Sequence, residues 1–121
     1  MIFVLITKDP ELVAAAREGF HPSDEVRTYS DWSEALEHAH QADLLFVDLI
    51  ATLNDPHLIA GYEAFARSKM VHPTAASVPL VLIAPDPGYK LDYMVGWPDF
   101  VFGHIQRPVN YKVFRRASTW V

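Results

Sequence analysis

Short apolar runs recur along the chain, separated by segments whose apolar residues fall at helical spacing. Residues 2–6, 44–48 and 78–84 are nearly continuous apolar runs, the pattern of strands buried on both faces of a parallel sheet. Residues 25–29 alternate and read as a short strand at or near an edge, and residues 99–105 read as the last strand. Between them, Leu12, Val13, Ala16 and Phe20 predict a helix started by Asp9 and Pro10. Asp31 with Glu34 resembles a capping box ahead of Trp32, Ala35, Leu36 and Ala39. Residues 49–56 read as a loop. Residues 58–69 read as a helix with Leu58, Tyr62, Phe65 and Met70 inward. A short helix opens at Tyr89 and breaks at Gly96-Trp97-Pro98, and a final one follows Pro108 with Tyr111, Phe114 and Ala117 on one face.

Strands alternating with helices predict βαβ units with right-handed crossovers. The expected fold is α/β: a doubly wound, flavodoxin-like five-stranded parallel sheet with helices on both faces. Chemistry in such folds gathers at the C-terminal ends of the strands. Thr7, Asp48, Ala84 and Arg107 are therefore expected to converge there.

The 121 residues suit one domain spanning 1–121. An apolar fraction of 50% and a charged fraction of 21% are ordinary for a globular chain. There is no cysteine, which excludes disulfides, thiol nucleophiles and Cys-based zinc sites. The net charge of −5 argues against nucleic acid as a general partner. The local basic stretch of Lys112, Arg115 and Arg116 reads as a solvated helix face. No apolar run is long enough to span a membrane, and the first apolar run is too short for a secretory signal, so a cytoplasmic protein is expected. The histidines show no metal-ligand spacing; His38 and His40 lie two apart on a predicted helix. Gly-rich phosphate loops and nucleophile-elbow motifs are absent.

The order and spacing of these segments resemble the receiver domain of bacterial response regulators over nearly the whole chain. Residues 2–10 occupy the place of the first strand and its acidic pair, and residues 44–49 that of the strand carrying the phosphoacceptor. Residues 61–65 resemble the start of the third helix, residues 77–84 the fourth strand, and residues 96–108 the stretch ending in a Lys-Pro dipeptide. By this resemblance Asp48 is the phosphoacceptor candidate. The acidic pair that would bind Mg²⁺ appears as Thr7 and Lys8, with Asp9 one place later. Ala84 stands where a hydroxyl residue is usual, Arg107 replaces the lysine, and His104 occupies the switch position in the last strand. Only Asp48 keeps the usual side chain.

These departures carry a physical expectation. Mg²⁺ needs several hard oxygen ligands, and here only Asp48 and Asp9 could supply carboxylates. Lys8 or Arg107 is instead expected to pair with Asp48 and stand in for the metal. A bland alternative is that Asp48 caps a turn, that Lys8 and Arg107 are solvated, and that His104 is only a polar strand residue. The resemblance then implies a pseudo-receiver, not an enzyme, with no cofactor, acting by phosphorylation-independent protein contacts. The interaction face would hold Trp97, Phe102, Tyr111 and Trp120, toward a protein partner or a second copy in a homodimer. The alternative is a working phosphoacceptor that needs Mg²⁺ and takes its phosphoryl group from a histidine kinase. No output domain is expected on this chain, so any effect is expected in trans or through a neighbouring chain.

Overall fold

The computed structural model describes residues 1–52, 60–85 and 101–121. The helix expected from Tyr89, Trp97, Leu58 and the first residues of the expected 99–105 strand lie outside them.

The apolar runs form β1 (Ile2–Ile6), β3 (Leu44–Asp48) and β4 (Leu80–Ile83); β2 (Glu25–Tyr29) and β5 (Val101–Ile105) complete the sheet. All pairings are parallel, and the order is β2-β1-β3-β4-β5. This is a doubly wound, flavodoxin-like α/β fold, with β2 at one edge as expected and β5 at the other. Among the described residues, no helix is long and apolar enough to cross a membrane.

Alternation of side chains splits the three central runs between two faces. Val4, Ile6, Leu45, Val47, Leu80 and Leu82 pack against α2 (Trp32–Glu37) and α4 (Ala60–Val71). Phe3, Leu5, Leu44, Phe46, Val81 and Ile83 pack against α1 (Pro10–Gly19) and α5 (Tyr111–Ala117). The second face carries an aromatic cluster: Phe3 stacks on Phe20 at 4.2 Å, and Phe114 meets the rings of Phe20 and Phe46 edge-on at 5.5 and 5.6 Å. Such geometry adds to simple area burial. α1 and α5 close over it through Gly19, where a Cβ would lie 2.3 Å from the Tyr111 carbonyl oxygen.

Two expectations are corrected. Residues 49–56 do not begin as a loop: Leu49–Thr52 forms the short helix α3, in which the Thr52 hydroxyl donates to the Leu49 carbonyl at 2.7 Å. Leu49 and Ala51 are buried there, so packing overrides the weak local signal. Met70 does not face inward but is 44% exposed. The buried stripe of α4 is Tyr62, Phe65, Ala66 and Lys69, which keeps the i, i+3, i+4, i+7 phase of one helix face.

The β4–β5 ladder shifts register: Leu80 opposes Val101, and Val81 opposes Gly103. Phe102 is the extra residue of a β-bulge, which re-aims side chains at the sheet edge.

Candidate functional site

Four strands deliver one side chain or carbonyl each to the same corner of the sheet. Asp48 ends β3, Thr7 follows β1, Ala84 follows β4 and Arg107 follows β5. Their convergence follows from parallel strands in register: Ile6 opposes Val47, Asp48 opposes Ile83, and Ile83 opposes Ile105.

Asp48 is 2% exposed. Its Oδ2 accepts from the Thr7 hydroxyl at 2.8 Å and from Arg107 Nη2 at 2.9 Å. The Thr7 Oγ1 also accepts from the Asp9 backbone N–H at 3.0 Å, so its single proton goes to the carboxylate. The other arm of the guanidinium, Nη1, donates to the Ala84 carbonyl oxygen. Asp48 Oδ1 is buried with no hydrogen-bond partner among the described residues. A carboxylate this deep must be neutralised or paired, because desolvation disfavours its charge. Arg107 does this while only 16% of its own side chain is exposed. A guanidinium suits the task, since its planar fork reaches two acceptors at once.

Of the two cations expected beside Asp48, Arg107 is the one that pairs with it. Lys8 is exposed and lines a separate cavity of about 420 Å³ with Ser30, Asp31, Trp32 and Thr52. Asp9 is the N-cap of α1, its Oδ1 accepting from the Glu11 N–H at 2.9 Å. Asp31 caps α2 through Ser33, from whose N–H and hydroxyl it accepts. The residues do not suit Mg²⁺: Asp9 serves a helix cap, and a fixed cation sits against the Asp48 oxygen where a metal would bind. Ala84 brings no hydroxyl, but its carbonyl orients Arg107.

Of the expected interaction face, Phe102 and Trp120 come together, and Tyr111 does not line their cleft. His104 and Phe102 are exposed on β5, and Trp120 lies in the 3₁₀ turn (Ser118–Trp120) that follows α5. Trp120 packs its ring over Gly103, where a Cβ would come within 3.1 Å of it. These four residues line a cleft of about 510 Å³. Tyr111 is half-buried, with the Arg115 guanidinium 5.2 Å above its ring. Trp97 lies outside the described residues.

One group was missed in the sequence. Lys69 on α4 is 2% exposed, and its Nζ donates to the Ala76 carbonyl oxygen at 3.4 Å. Burial pushes its ammonium down to about 8. Its place in the stripe of Tyr62, Phe65 and Ala66 was the available signal, but a lysine is ordinarily read as solvated.

No protein-family model matches the chain. No curated protein matches it.

Proposed function

We propose that this chain is a receiver-like signalling domain, a degenerate relative of response-regulator receivers, that works in the cytoplasm through phosphorylation-independent protein contacts and not as an enzyme. The observation that carries this reading is the Arg107–Asp48 pair, closed by Thr7 and Ala84. Phosphoryl transfer to a carboxylate needs positive charge that stabilises the transferring group and a clear in-line approach. Here the positive charge is covalently part of the chain and already bound to the acceptor. A metal can leave and return, whereas Arg107 cannot, so the corner is held in one electrostatic state. The surface around it then acts as a constant docking face.

A second reading, Asp48 as phosphoacceptor with Mg²⁺ and a histidine kinase as donor, draws support from one observation. Asp48 Oδ1, although buried, has no hydrogen-bond partner among the described residues, so neither Thr7 nor Arg107 occupies that oxygen.

The test is intact-mass analysis after incubation with acetyl phosphate and Mg²⁺, with Asp48→Asn as control. The expected result is no phosphoryl adduct under conditions that label an ordinary receiver. An adduct on the natural chain that Asp48→Asn removes would establish the second reading in its place.

A further inference from the structure

We infer that Lys69 is a covalent carbonyl-binding site, whose amine forms a reversible imine with a small uncharged aldehyde or ketone in the cavity it lines. The site stands apart from the Asp48 corner and does not depend on the reading of that corner. Its cavity holds about 420 Å³ and is walled by Ala76, Ser77, Val78, Pro79, Val101 and Phe102. Residues 76–79 lead into β4 and Val101 opens β5, so the cavity lies at the N-terminal ends of these strands, opposite the end where Asp48 sits. Ser77 and Phe102 are exposed, which puts its mouth at the surface. Lysine is rarely found fully buried, yet Lys69 takes the inward place seven residues after Tyr62 on α4 and is 2% exposed. Its Nζ reaches the carbonyl oxygen of Ala76 at 3.4 Å, and Ala76 is itself a wall residue, so the amine stands at the cavity. The wall also includes Phe102, the extra residue of the β5 bulge, and bulges gather beside functional sites.

An amine attacks a carbonyl only through its neutral form. Burial disfavours the ammonium and holds Lys69 at about 8, so near neutral pH a far larger share of it is neutral than of an exposed lysine. The step balances without an oxidant or reductant. The nitrogen lone pair forms a C–N bond to the carbonyl carbon, and the C=O π pair moves to oxygen, which takes up a proton as nitrogen gives one up. The carbinolamine then loses its hydroxyl and the remaining nitrogen proton as water, and C=N forms. The neutral imine also removes a charge from a site where burial penalises it. Among the described residues lining the cavity, Lys69 carries the one charged side chain, and Val78, Pro79, Val101 and Phe102 are apolar. A carboxylate or phosphate on the ligand would lose water there without a second cation to replace it, so the occupant is an uncharged carbonyl compound with a short apolar tail.

The test is reductive trapping on the full chain at pH 7.5 with butanal and cyanoborohydride, read residue by residue by peptide mass mapping. The exposed Lys8 and Lys112 in the same sample are the references. Lys69 is expected to label roughly tenfold faster than either, since its neutral fraction is the larger, and to lose that lead in urea. This comparison needs no variant. Ser77→Trp, which fills the mouth of the cavity, should suppress labelling at Lys69 and leave Lys8 and Lys112 unchanged, with circular dichroism to show that the variant is folded. Glyoxylate, an aldehyde that carries a carboxylate, should lose the preference for Lys69 over the two references. Labelling of Lys69 no faster than that of Lys8 and Lys112 overturns the inference, as does labelling that Ser77→Trp leaves untouched. A preference for Lys69 that glyoxylate shares would overturn the assignment to uncharged carbonyl compounds.

Discussion

Arg107 Nη2 lies 2.9 Å from Asp48 Oδ2, joining the segment that follows β5 to the end of β3 across the intervening strand β4. The pair is nearly dry on the carboxylate side, and Thr7 and the Ala84 carbonyl hold its two members in place. Removing one member of a buried pair strands the other. Arg107→Ala is therefore expected to cost about 3–5 kcal/mol of folding stability. Asp48→Asn with Arg107→Ala should cost less than the sum of the single changes. Arg107→Lys keeps the charge but cannot reach Asp48 and Ala84 with one planar fork, so its loss should fall between. Urea unfolding of the natural chain and of these four variants measures all of this, and strict additivity would show that the two side chains are energetically independent.

Gly19 ends α1 where α5 crosses it. In an isolated helix, Gly→Ala usually stabilises by about 1 kcal/mol. Here the added methyl would stand 2.3 Å from the Tyr111 carbonyl oxygen and 2.9 Å from Phe114 Cβ. Backbone cannot move aside cheaply, so Gly19→Ala should destabilise by about 1–3 kcal/mol. The reversed sign, read from thermal melts, is the diagnostic.

Lys69 predicts a pH dependence. Its folded-state value is about 8 against 10.5 for the free side chain. Above pH 8 the folded protein releases this proton while the unfolded chain keeps it, so stability should rise with pH through that window. Near pH 10 the trend meets an opposing one. Burial raises the Tyr62 hydroxyl above its ordinary value of 10, so the unfolded chain ionises first and stability falls. Denaturation midpoints should therefore climb between pH 8 and 10, and Lys69→Met should flatten the climb. A profile unchanged by Lys69→Met would assign the climb to another group.

Asp9 separates a cap from a metal ligand. Asp9→Ala removes the acceptor of the Glu11 N–H and should cost about 1 kcal/mol. Calorimetric titration with Mg²⁺ should look the same for the natural chain and for Asp9→Ala. Magnesium binding that vanishes with Asp9 would place this carboxylate in a metal site.

Much of the fold was legible because buried parallel strands are written as apolar runs. Residues 2–6 and 44–48 could hardly be anything else, and Asp9 and Asp31 announced their helices by capping chemistry. α3 was not legible: Leu-Ile-Ala-Thr has no cap and too few residues for a helical period, and its burial supplies what propensity lacks. Lys69 was obscured by its own type, since periodicity marked its position as inward while its charge argued the opposite.

The amino-acid sequence by itself determined the α/β class and the convergence of Thr7, Asp48, Ala84 and Arg107 at the C-terminal ends of the strands. These follow from local rules: a period of two or 3.6 residues, capping, and the direction of parallel strands. Tertiary structure alone decided which cation meets Asp48. Lys8 and Arg107 both lie just beyond strands at that end of the sheet, but Lys8 is exposed, and Arg107 finds two acceptors. It also decided that Phe102, the extra residue of the bulge, stays exposed and that the Trp120 ring packs over Gly103. Side-chain partners depend on angstrom-scale placement across strands far apart in sequence, and no local pattern encodes that distance.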